Sequence, residues 1–203
     1  MGQVVALDSL LATRTLWHAG RGAGVSAGGE PSGHALLDAA LPHGGWPRRA
    51  LTELLLPAAG VGELALLLPS LARLTAGGSR VVLVAPPFIP YAPAWQAAGV
   101  DLALLEVVAT PDPRQALWAQ EQCLRSGACG AVLGWPAGGD DRALRRLQVA
   151  ADTGDCCGFV LRDRRHAANA SPAALRLLAG EGGWRVLKCR GGQPPSGLLR
   201  LAH

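Results

Sequence analysis

The sequence predicts an α/β domain: a mainly parallel central sheet with helices on both faces. Three observations carry this. Short apolar runs of strand length alternate with longer stretches whose apolar residues recur at helical spacing. The strand runs are almost free of polar residues, as buried parallel strands must be when both faces are covered. Apolar residues make up 49% of the 203, and charged residues only 17%. That much apolar surface can offset the chain entropy lost on folding, and the length suits one well-buried domain.

Taken in order, residues 1–19 carry Leu7, Leu10, Leu11 and Trp17 at roughly helical spacing, with Asp8 or Ser9 as cap. The Gly-rich stretch 20–33, "GRGAGVSAGGEPSG", has little to bury and reads as a tether. Residues 34–203 form the core domain. There "LLDAALP" reads as a short helix and "RALTELLL" as a strand, followed by a helix over Leu64–Ala76 that contains Pro69. "RVVLVAP" is a strand, "YAPAWQAAGV" helical and "LALLEVVA" extended. A helix over Arg114–Ser126 precedes the strand "GAVLGWP". A helix over Arg142–Thr153, with Leu144, Leu147 and Ala151 inward, precedes the strand "CGFVLRD". Ala173–Leu178 reads as a short helix, and "WRVLKCR" and "LLRLA" as closing antiparallel strands.

The net charge of +4 comes almost entirely from arginine, since Lys188 is the one lysine. Such mild basicity is compatible with nucleic acid without requiring it. Arg142, Arg145 and Arg146 share a helix face by their i, i+3, i+4 spacing. With Arg162, Arg164 and Arg165 they form the candidate surface for DNA or a partner, and Leu10, Leu11 and Trp17 are the candidate contacts on the N-terminal helix. Self-association through that helix is a further expectation. The five cysteines fit neither a zinc ligand set nor a disulfide framework, and the scattered histidines have no metal-ligand spacing. No serine sits in a nucleophile elbow. No secretory leader or membrane span is visible, so a cytoplasmic location with no metal and no cofactor is expected.

The stretch "LTELLLPAAGVGELALLLPSLARL" (Leu51–Leu74) has the strand–turn–helix shape of a phosphate loop. Such a loop aims backbone N–H groups at phosphates, a Lys at the β/γ-phosphates and a Ser/Thr at magnesium. Gly60 and Gly62 stand in the turn, but the Lys-Thr positions hold Gly62-Glu63 or Glu63-Leu64. A carboxylate there repels triphosphate.

From Pro31 to about residue 163 the order of motifs resembles a RecA-type ATPase core with degenerate Walker motifs. The resemblance sets Pro86 where such enzymes carry the glutamate that activates water. It sets Trp135 where the Walker B aspartate holds magnesium. It therefore implies a chain that is not an enzyme, lacking the Walker A Lys/Thr, the catalytic Glu and the Walker B Asp. The tracts "SGHALLDAALPHGGWPRRALTELL", "RALRRLQVAADTG" and "SPAALRLLAGEGGWRVLKCRGGQPP" resemble the ImuA family of translesion DNA synthesis. What that implies is an adaptor in damage-induced (SOS) mutagenesis. Its partners would be an ImuB-type Y-family polymerase homologue, an error-prone replicative-type polymerase and RecA, with at most weak direct DNA binding. The alternative is the related SulA cell-division inhibitor, which binds the tubulin-like division protein. An ATPase with an atypical loop is a third reading.

Overall fold

The computed structural model describes residues 28–136 and 140–201. The helix expected over 1–19, with Leu10, Leu11 and Trp17, and most of the tether lie outside the described residues. One sheet contains β1 (Ala50–Leu56), β2 (Arg80–Val84), β3 (Leu105–Val108), β4 (Cys129–Gly134), β5 (Cys157–Asp163), β6 (Leu175–Gly180), β7 (Gly183–Cys189) and β8 (Leu198–Leu199). The order across it is β3-β2-β4-β5-β1-β6-β7-β8. β1 to β6 pair in parallel, and β7 and β8 close one edge antiparallel. The helices are α1 (Ala35–Ala40), α2 (Glu63–Ala76), α3 (Ala92–Ala97), α4 (Pro113–Arg125) and α5 (Asp141–Thr153).

Successive side chains of a strand point to opposite faces, so each central strand feeds two cores. Leu54, Leu56, Val81, Leu83, Leu133 and Phe159 pack with α1, α2 and α3 on one face. Leu51, Val82, Val84, Val132 and Val160 pack with α4 and α5 on the other. This double coverage is why the strands are apolar along their length. Trp46 is completely buried in the first core: its Nε1–H donates to Ser70 Oγ at 3.1 Å, and its ring meets Phe159 edge-on at 5.4 Å.

Two expectations are corrected. Ala173–Leu178 is not a helix: its last four residues open strand β6, paired parallel with β1 and antiparallel with β7. Its Ala-Leu composition favours helix locally, but pairing on both sides overrides the weak propensity. The tether, expected to extend to residue 33, ends earlier. Glu30 and Trp46 exchange backbone bonds at 2.8 and 2.7 Å, and the Glu30 carboxylate pairs with Arg73 at 2.5 Å. Ser32 is fully buried. At Gly33 (φ +85) a Cβ would lie 2.3 Å from Pro69 Cβ, so the bare backbone makes room for the proline inside α2.

Cys156 and Cys157 are buried in the two cores. Burial pushes both thiols up, Cys157 to about 12, so neither supplies thiolate, the nucleophilic form, near neutrality. Iodoacetamide at pH 8 is therefore expected to leave these two unmodified in the folded protein and to label them in denaturant, as peptide mass mapping would show.

Candidate functional site

Parallel strands deliver their following loops to one edge of a sheet, where α/β proteins bind ligands. Here the turn after β1 (residues 57–62), the loop after β2 (85–91) and Trp135 after β4 surround a cleft of about 290 Å³. Glu63, Pro86 and Trp135, far apart in sequence, all line it. The wall contains Phe88, Tyr91, Trp95 and Trp135, four of the chain's nine aromatics (6 Trp, 2 Phe, 1 Tyr).

Glu63 is the first residue of α2, where the helix dipole favours a carboxylate. Gly62, in the left-handed conformation at φ 93, is the N-cap and has no side chain to cap the helix. Glu63 turns back instead, and its Oε1 accepts the Gly60 N–H at 2.9 Å. The side chain is nearly inaccessible, at 3%. A backbone donor of the kind that cradles phosphate is thus already taken, and a negative charge sits where an anion would approach. Glu63 Oε2 is buried without a hydrogen-bond partner among the described residues, and so is the Trp135 indole Nε1.

The loop after β2 folds over this turn. Ala85 sits at φ 48, left-handed despite its Cβ, and its N–H donates to Val108 O at 2.8 Å. That bend aims Pro86–Tyr91 across the cleft. Phe88 packs on Gly60 so closely that a Cβ at position 60 would lie 2.8 Å from its ring. Phe88 is nonetheless 64% exposed and Ile89 95%, with Tyr91 and Val61 exposed beside them. Gly60 is itself at φ +78. Gly60→Ala is therefore expected to cost about 1–2 kcal/mol in backbone strain alone, seen as a lowered midpoint in thermal denaturation.

Five of the six candidate arginines, Arg142, Arg145, Arg146, Arg164 and Arg165, are exposed, and Arg162 is not. Arg162 is buried rather than a contact: its Nη1 donates to Glu53 Oε1 at 2.7 Å. It belongs to a buried triad, because Arg176 Nε donates to Glu53 Oε2 at 2.5 Å. The reason is position. Glu53, Arg162 and Arg176 stand on the neighbouring strands β1, β5 and β6 and are all buried, so each charge finds its counter-charge there. Arg176 also donates to the His166, Ala167 and Asn169 carbonyls, pinning the loop after β5. Burial and the Arg162 and Arg165 guanidiniums push the His166 ring below its ordinary value. Arg164 and Arg165 are exposed on that loop. On α5, Arg142, Arg145 and Arg146 are all exposed, although Arg145 pairs with Asp141 at 2.7 Å and Arg146 reaches Glu121 of α4. Lys188 and Arg190 donate to the Ser171 and Pro172 carbonyls.

Sequence reasoning missed two features. The triad was hidden because Glu53 reads as one polar residue in an apolar strand. The exposed loop carries its own signal: "PPFIPY" concentrates both kinds of rare aromatic between prolines, which cannot donate to a sheet ladder. Among the described residues no His/Cys/Asp/Glu group could hold a metal ion, and no helix is long and apolar enough to cross a membrane.

No protein-family model matches the chain, and no curated protein matches it. Among solved structures it is similar to SulA from Pseudomonas aeruginosa, at 25% identity and a TM-score of 0.47, covering 55% of this chain and 96% of that one.

Proposed function

We propose that the chain is a non-catalytic, RecA-like binding protein whose former nucleotide cleft has become a protein-docking surface. The observation that carries this is Glu63: it occupies the Gly60 amide and places negative charge in the turn. The aromatic loop laid over that turn supplies exposed apolar anchors, the residue types that dominate protein interfaces. In this reading the protein makes and breaks no bonds. It recruits one partner to another within the response to DNA damage.

Two partners are at issue. The sequence resemblance to the ImuA family supports an adaptor that binds the ImuB-type polymerase hub, with the error-prone polymerase and RecA nearby. The comparisons lend nothing to that partner. The structural similarity lies on the side of the division inhibitor, in which the partner is the tubulin-like division protein, at a TM-score that does not choose between them. The test is to immobilise the purified full chain and pass each partner over it separately. Retention of the hub alone supports the adaptor, and retention of the division protein alone supports the inhibitor. Binding of neither overturns both.

A further inference from the structure

Two residues that line the cleft each have a buried polar atom that nothing in the described chain satisfies, and the two atoms are of opposite kinds. Glu63 Oε2 is a carboxylate acceptor, and Trp135 Nε1 is a donor. Glu63 Oε1 is committed to Gly60, so one carboxylate oxygen remains for a ligand. Phe88, Tyr91, Trp95 and the prolines of the loop line the same cleft. A buried carboxylate excludes anions and favours a cation. Aromatic faces attract a planar guanidinium more than a compact, strongly hydrated ammonium.

From this we infer that the cleft takes an arginine side chain presented by a protein partner: the guanidinium stacks on the aromatics and donates to Glu63 Oε2. Trp135 Nε1 then donates to a carbonyl oxygen of the same partner segment. Entry moves the Phe88 ring, whose outer side already faces solvent. A site shaped for a nucleotide's negative charge is thereby inverted into one for a positive side chain. This rests on the protein-docking reading above and names the chemistry of the anchor.

The test uses the full-length protein labelled with ¹⁵N, following the indole N–H resonance of Trp135, assigned by its loss in Trp135→Phe. The probes are the peptide acetyl-Gly-Arg-Gly-amide, the same peptide with neutral citrulline for arginine, and magnesium-ATP. The arginine peptide is expected to shift the Trp135 resonance saturably. Citrulline, of the same shape without the charge, should bind at least about tenfold more weakly, the scale of one charge-assisted hydrogen bond. Glu63→Gln should lose the arginine response, although its amide oxygen still accepts the Gly60 N–H and keeps the turn. No saturable shift, equal binding of the citrulline peptide, or full binding by Glu63→Gln overturns the inference. The citrulline comparison needs no variant, so it stands even where Glu63→Gln fails to fold. Saturable binding of magnesium-ATP at Trp135 would instead overturn the docking reading, which separates the two failures.

Discussion

Glu53→Ala is expected to destabilise the protein by about 3–5 kcal/mol, the cost of leaving a buried charge without its partner. The Glu53 carboxylate is fully inaccessible and accepts from both Arg162 and Arg176, themselves buried. Removing it takes the counter-charge from two buried guanidiniums, neither of which can shed its proton. The damage should spread, because Arg176 also organises the loop after β5 through three carbonyls. Urea denaturation measures the loss, and hydrogen exchange should show the amides of residues 164–169 opening with it. The triple replacement Glu53→Leu, Arg162→Met, Arg176→Leu is expected to recover most of the stability, since apolar residues of similar size can replace a buried ion network. A loss below about 1 kcal/mol in Glu53→Ala would mean that the triad is hydrated rather than buried.

Replacing Phe88 and Ile89 together with alanine is expected to weaken binding of the protein partner by about thirtyfold or more, since one interface hot spot contributes roughly 2 kcal/mol. Both side chains are largely in solvent, so folding stability should barely change, as for surface substitutions generally. Calorimetry with whichever partner the immobilised chain retains, paired with thermal denaturation, separates the two effects. Unchanged affinity would move the docking surface away from this loop. Arg164→Ala with Arg165→Ala serves as the contrast: both residues are exposed on the loop after β5, and their removal should leave that affinity intact.

What the sequence reveals depends on how local the determinant is. β1, β2, β4 and β5 were legible because strands buried on both faces announce themselves as apolar runs. α2, α4 and α5 were legible from their spacing. β6 was not, because "ALRLLAG" becomes a strand only through partners on either side. The turn, Pro86 and Trp135 could be named as one candidate site from motif order, and the structure sets all three around one cleft. The role of Arg162 was illegible, because a basic residue at a strand end looks the same whether it meets solvent or a glutamate three strands' worth of chain away. The reach of Glu63 back to Gly60 also depends on three-dimensional placement, though its place at a helix start hinted at it.

The most direct test of the central claim is calorimetric titration of magnesium-ATP into the purified protein. With the Gly60 amide engaged and the Glu63 carboxylate in the turn, no heat beyond dilution is predicted. Saturable binding with one nucleotide per chain would contradict the account and return this cleft to nucleotide chemistry.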